Sequence, residues 1–193
     1  MAVAHLTEFI DQTDVMPHSV ALLIAELFTP LQLAKNDFLL RSGQLTDYYF
    51  FLEEGYLRAF AEDTVGNEVT TNFYAPGQMV FEVASFFNRK RSRENIQALS
   101  ECHGRFITYK DLNELFHTMP EFRDFGRAML VKGFSELKNR MLLTITETAE
   151  ERYAHLLKTK PEIFQQMSLK YIASYLGITD TSLSRIRKEF SKK

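Results

Sequence analysis

Cysteine is almost missing from this chain of 193 residues, with Cys102 standing alone. A single thiol excludes an internal disulfide and a four-cysteine zinc or iron–sulfur site. Tryptophan is absent, and proline and glycine are sparse at 5 and 8. That composition excludes collagen-like and Pro/Gly-rich disordered chains. No apolar stretch reaches the ~18 residues of a membrane span. The N-terminus lacks the basic start and apolar run of a secretory leader. A cytoplasmic protein with no membrane partner is expected by default. His5, His18, His117 and His155 show no ligand spacing, and Cys102-His103 is an adjacent pair poorly spaced for a metal. No metal site and no cofactor are expected. No nucleophile-base-acid spacing or phosphate-cradling Gly loop is present, so the chain does not read as an enzyme.

What is present is unevenly placed. The net charge is −2, but residues 1–60 hold three basic side chains against eight acidic ones. Residues 168–193 hold Lys170, Arg185, Arg187, Lys188, Lys192 and Lys193 against Asp180 and Glu189. An acidic front and a basic tail point the tail toward a polyanion.

Residues 4–28 repeat apolar side chains at helical spacing (Leu6, Phe9, Ile10, then Val20, Leu23, Ile24, Leu27), and Pro30 marks a break. Residues 31–108 change character. Runs such as Tyr48-Tyr49-Phe50-Phe51-Leu52 and Glu68-Val69-Thr70-Thr71-Asn72-Phe73-Tyr74 alternate with Ser42-Gly43, Glu54-Gly55, Gly66-Asn67 and Pro76-Gly77. Short strands punctuated in this way predict an antiparallel sandwich or barrel. Helical spacing returns from Lys110, with a long helix over about 121–147. Its Phe122, Phe125, Met129, Phe134, Leu137, Met141 and Ile145 form a seam wide enough for one partner. Helices are then predicted at 148–158 and within 168–190.

Residues 169–188 fit a helix-turn-helix position by position. Ile172 and Leu176 face inward, Ala173 permits a close crossing, and Gly177 supplies the left-handed turn. Thr179 is a natural N-cap. Leu183, Ile186 and Phe190 line the inner face of the second helix, which leaves Thr181, Ser184, Arg185 and Lys188 outside. Arg185 suits a guanine edge and the hydroxyls suit bases or phosphates, while Ser182 near the helix start suits a phosphate. The plainer alternative is a helical hairpin with a solvated basic face.

The run Ile172-Ala173-Ser174-Tyr175-Leu176-Gly177-Ile178-Thr179, continuing Ser182-Leu183-Ser184-Arg185-Ile186-Arg187, resembles the Crp/Fnr family of bacterial regulators. The branch resembled is the Bacteroidetes type, which Glu151-Arg152-Tyr153 and Lys160-Pro161-Glu162 also resemble. The resemblance implies an α+β chain: an N-terminal double-stranded β-roll like a cyclic-nucleotide-binding domain, a long dimerisation helix and a C-terminal winged helix-turn-helix. The boundaries expected are 1–118 for the sensor-like domain, 119–147 for the dimerisation helix and 148–193 for the DNA-binding domain. The resemblance puts base contacts at Asp180, Thr181 and Arg185. The partners it implies are double-stranded DNA, a second copy of the chain and RNA polymerase. With Lys193 following closely on the recognition helix, the wing is expected to be truncated or to come from residues before 168.

The family's phosphate cassette pairs Gly-Glu with Arg-Ser or Arg-Thr about ten residues on. Here the turn reads Phe81-Glu82-Val83-Ala84, and the Arg position falls on Ser92 between Arg91 and Arg93, with Glu94 beside them. Phe81, Glu82, Val83, Arg91, Ser92 and Arg93 are the candidate effector pocket. Phe81 is expected to crowd a phosphate and to resist the positive φ that glycine permits. Control by cyclic AMP is therefore not expected, and the effector is left open. A second class of function is a small-molecule sensor whose helix-turn-helix serves protein contacts. The basic tail favours DNA.

Overall fold

The structure, a computed structural model, describes residues 3–191. Lys192 and Lys193 of the basic tail lie outside the described residues. The contacts divide the chain into two units. One holds the chain up to Arg58 together with Tyr74–Gly133, and the other holds Ala59–Phe73 and the chain from Phe134 onward.

The first unit opens with α1 (Ala4–Asp11) and α2 (His18–Glu26), followed by β1 (Thr29–Leu33), β2 (Phe38–Leu40) and β3 (Tyr48–Glu54). In chain order there follow β4 (Leu57–Glu62) and β5 (Glu68–Tyr74), most of whose residues belong to the second unit, and then β6 (Gln78–Val80) of the first. Then come α3 (Val83–Phe86), β7 (Asn95–Ala98), β8 (Cys102–Thr108) and α4 (Tyr109–Thr118). One antiparallel sheet runs β1-β8-β3-β6, and the other runs β2-β7-β4-β5. Tyr49, Phe50, Phe51 and Leu52 are all buried. A strand covered on both faces reads as a continuous apolar run, as β3 does, and not as an alternation. Gly104 on β8 is what lets β3 come so near, because a Cβ there would lie 2.1 Å from the Phe51 carbonyl oxygen.

Two strands have no counterpart in the sequence expectations. Pro30 lies inside β1, paired with Arg105, where a break was expected. Because β1 is an edge strand, a residue with no N–H is tolerated there. The three-residue β6 pairs Phe50 with Val80 and Phe51 with Met79, a piece too short to show periodicity. A core of this unit joins Leu6, Ile10, Ile24 and Phe28 to Phe51, Phe86, Phe122 and Phe125.

The long helix α5 (Pro120–Thr146) begins in the first unit and continues into the second. Its expected seam divides accordingly. Phe122 and Phe125 are core residues at 1% and 2% exposure, whereas Phe134, Leu137 and Ile145 stand 71%, 64% and 71% exposed. The free apolar stripe therefore starts near Leu130 and omits Phe122 and Phe125.

The second unit contains the β4–β5 hairpin from Ala59 to Phe73, α6 (Ala149–Thr159), α7 (Pro161–Gln166), α8 (Leu169–Leu176) and α9 (Asp180–Phe190). The short α7 was not expected. Thr148 and Glu151 close a capping box at the start of α6. Tyr153, Leu156, Ile163, Ile172, Leu183 and Ile186 are buried among these helices. Among the described residues no strand lies between Pro120 and Ser191, so these residues form no wing.

Candidate nucleic-acid interface

The turn between α8 and α9 follows from its residues. Gly177 takes φ +68, and the Ile178 N–H returns to the Ala173 carbonyl at 3.0 Å. The Thr179 hydroxyl then accepts the Ser182 N–H at 3.2 Å and caps α9. Leu183 at 0% and Ile186 at 1% exposure hold the inner face of α9 in the core. The helical period consequently turns Asp180, Thr181, Ser184, Arg185 and Lys188 outward, and all five are exposed. Asp180 lies in the first turn and Arg187 and Lys188 in the last, which matches the helix dipole at both ends. Ser182 differs from the other five. It is half-buried, and its hydroxyl oxygen accepts a hydrogen bond from the Thr179 hydroxyl at 3.0 Å, so it serves the cap.

Arg152, which the sequence singled out only through the family resemblance and without a role, positions this motif. Arg152 donates to the Glu147 carbonyl at 2.7 Å and to the Leu176 carbonyl at 3.1 Å. The guanidinium thereby ties the exit of α5 to the last turn of α8. Its partners are main-chain oxygens, which carry no sequence signal.

The candidate effector pocket is built differently from a phosphate site. The Glu82 carboxylate accepts the Ala84 N–H at 3.1 Å and the Ser85 N–H at 2.6 Å. These are the backbone donors a phosphate would need, and the chain's own anion already uses them. Phe81 packs on Tyr49 at 4.5 Å between centroids and on Phe87 at 5.8 Å. Its φ is not positive; the non-glycine residues with positive φ are Asp14, Asn36 and Arg89 among those described. Phe81 therefore crowds the turn with its ring, and the backbone strain expected of it is not used. Ser92 is buried at 3%, with its hydroxyl given to the Glu94 carbonyl at 2.8 Å. Arg91 and Arg93 are exposed, and Arg91 donates to the Gly43 carbonyl at 2.7 Å. Val83 is 53% exposed. The six residues do not assemble into a cationic cradle.

Elsewhere the titratable groups have structural settings. Burial pushes the Tyr49 phenol far above its ordinary range and the Cys102 thiol upward. Burial also raises the Glu53 carboxyl, against the opposing pull of Arg105. No cluster of His, Cys, Asp and Glu suited to a metal ion occurs among the described residues. No helix among them is long and apolar enough to cross a membrane.

Residues 30–119 match the family model described as the cyclic nucleotide-binding domain. The chain is 26% identical over 171 residues to the transcriptional activator protein Anr of Pseudomonas protegens, a match covering 83% of this chain and 69% of Anr. The structure of FixK2 from Bradyrhizobium japonicum shares the fold at TM-score 0.74 and 20% identity, covering 86% of this chain and 85% of FixK2. A transcriptional regulator of the Crp/Fnr family from Thermus thermophilus follows at TM-score 0.67 and 17% identity, covering 85% and 86%.

Proposed function

We propose that this chain is a transcription regulator of the Crp/Fnr type that binds duplex DNA sequence-specifically as a homodimer, a reading supported by its cyclic nucleotide-binding domain match and its likeness to Anr. The observation carrying this reading is the face of α9. Asp180, Thr181, Ser184, Arg185 and Lys188 stand exposed on a helix whose opposite side is locked into the core by Leu183 and Ile186. Arg185 is the base reader, and its fork matches the O6 and N7 acceptors of guanine. Lys188 supplies charge to the phosphates.

The proposed division of labour assigns 1–118 to a sensor-type domain, 119–147 to dimerisation and 148–193 to DNA. The bare stripe of Leu130, Phe134, Leu137, Met141 and Ile145 supports the dimer. A two-fold dimer presents two copies of α9 about one DNA turn apart, ~34 Å, so the operator is an inverted repeat. The protein acts in the cytoplasm, catalyses no reaction and works with RNA polymerase. Cyclic AMP is not its effector, a reading supported by the Glu82 carboxylate on the Ala84 and Ser85 N–H groups. Its control comes from another ligand or from none.

The test is selection of duplexes from a random pool by the purified protein. An enriched inverted repeat is expected. Equal recovery of all sequences at physiological salt contradicts the reading. Calorimetry with cyclic AMP should show no micromolar binding, and a micromolar constant would return Arg91 or Arg93 to the role of phosphate partner.

A further inference from the structure

The β4–β5 hairpin groups by its contacts with the helix-turn-helix unit, although it is covalently a pair of β-roll strands. It is a well-made hairpin. Asp63 accepts the Val65 and Asn67 N–H groups at 2.9 and 2.8 Å, and Gly66 takes φ +85. β5 is the last strand of its sheet. An edge strand offers unpaired N–H and C=O groups, and the Thr70 N–H and Glu68 carbonyl of β5 are taken up by a side chain of α8.

Ser174 of α8 makes the first connection. Its hydroxyl accepts the Thr70 N–H at 2.8 Å and donates to the Glu68 carbonyl at 3.2 Å. The side chain thus takes the place of a neighbouring strand. Arg140 of α5 makes the second connection. Its guanidinium donates to the Thr71 carbonyl and, at 3.4 Å, to the Tyr175 carbonyl. The same group lies 4.0 Å over the Tyr175 ring, which packs on Phe73 at 5.2 Å.

The end of α8 shows why these contacts matter. A helix leaves its last four carbonyls without intrahelical partners. The Ala173 carbonyl receives the Ile178 N–H and the Ser174 carbonyl the Gly177 N–H. The Tyr175 carbonyl receives Arg140, and the Leu176 carbonyl receives Arg152. Two guanidinium groups therefore finish the helix that orients α9, and one of them also holds the main chain of β5 at Thr71.

We propose that Arg140 and Ser174 form a polar latch that fixes the helix-turn-helix on β5 in a DNA-competent orientation. The proposal rests on the DNA-binding reading above. The direction follows from exposure, since Thr181, Ser184, Arg185 and Lys188 are uncovered while the latch is closed. The latch does not mask the reading face. Opening it lets α8 and α9 swivel and lowers the fraction of molecules with two aligned recognition helices. The closed state leaves the Thr70 and Thr71 hydroxyl oxygens buried with no hydrogen-bond partner among the described residues, which lowers the cost of opening it. Arg140 and Ser174 are positioning residues and touch no base.

The experiment compares the full-length protein with Ser174→Ala, Arg140→Ala and Arg140→Lys. Amide exchange at Thr70 is followed by NMR, and affinity is measured for the duplex that the wild type selects. Ser174→Ala should speed Thr70 exchange about tenfold or more and weaken DNA binding about tenfold, the effect of roughly one lost neutral hydrogen bond. Arg140→Ala should do the same, and Arg140→Lys, which keeps one donor direction, should recover part of the affinity. DNA should leave Thr70 protected in the wild type. Loss of Thr70 protection on DNA binding overturns the proposal, as does tighter DNA binding by Ser174→Ala. Unchanged exchange and affinity in both alanine variants also overturn it. If Arg140→Ala does not fold, Ser174→Ala decides alone. A wild type that selects no duplex refutes the DNA-binding reading instead, while the exchange measurement still reports on the latch.

Discussion

Replacing Phe134 with alanine tests the two-fold contact along α5 without disturbing the folded protomer. Phe134 is 71% exposed on the single chain, so its removal opens no cavity there. Burying a large apolar side chain fully gains roughly 1.5–3 kcal/mol, and about seven-tenths of this one is free to make the transfer. Each protomer then contributes about 1–2 kcal/mol, and a two-fold interface doubles that to about 2–4 kcal/mol per dimer. At about 1.4 kcal/mol per decade, the dissociation constant should rise about 30- to 1,000-fold. Sedimentation from nanomolar to high micromolar concentration measures it. Phe125→Ala is the control. That ring is 2% exposed in the core, so its loss should cost about 3–5 kcal/mol of stability and leave association between folded protomers largely intact. A Phe134→Ala protein that dimerises as tightly as wild type refutes the stripe as the interface. So does a wild type that stays monomeric at micromolar concentration with and without DNA.

Three further outcomes follow from local geometry. Gly104→Ala would set a Cβ 2.1 Å from the Phe51 carbonyl oxygen, a main-chain atom that no rotamer change can move. It should cost about 3 kcal/mol and lower Tm by ~6–12 °C, and an unchanged calorimetric Tm would contradict this packing. Cys102 is fully buried and its thiol is pushed upward by that burial, so a thiol reagent should label it only as fast as the protein opens. Stoichiometric labelling within seconds in native buffer contradicts that. The Thr148 N–H and then its hydroxyl hold the Glu151 carboxyl below its ordinary value of 4.5. A depressed carboxyl adds stability above the unfolded-state value and loses it as pH falls through the folded one. Glu151→Gln should therefore flatten the acid limb of the stability curve below about pH 5, and parallel curves for the two proteins would argue against the capping box.

The sequence made the helix-turn-helix legible because its determinants are local. Gly177, Thr179 and the apolar spacing of Ile172, Leu176, Leu183 and Ile186 act within one or two turns of each other. The β-roll was legible as strands and turns, but β1 and β6 were not. Pro30 is acceptable in β1 only because that strand lies at a sheet edge, a tertiary fact. The long helix was legible, but not the division of its apolar residues between core and free stripe. Phe122 meets Phe116 at 4.9 Å between centroids, whereas Phe134 meets solvent, and helical spacing is the same in both cases. Phe81 was read as a misfit for glycine, and the structure adds that Glu82 caps the adjacent helix itself. Ser182, read as a phosphate ligand at the helix start, also takes part in the cap of α9, which the sequence did not show. Arg140, Arg152 and Ser174 bond to main-chain atoms, 104 residues away for Ser174 and Thr70 and 24 for Arg152 and Leu176, and bonds to main-chain atoms leave no side-chain pattern.

In the proposed reading, α9 reads DNA sequence through Arg185. The most direct measurement is the affinity of wild type and Arg185→Ala for the selected duplex and for duplexes with each half-site base pair replaced in turn, at one fixed salt concentration. Arg185→Ala should lose about 1–3 kcal/mol and show relaxed preference at one half-site position, with the other positions still discriminated. Equal affinity of both proteins for every duplex, or a loss spread evenly over all duplexes as for a phosphate contact, would contradict it.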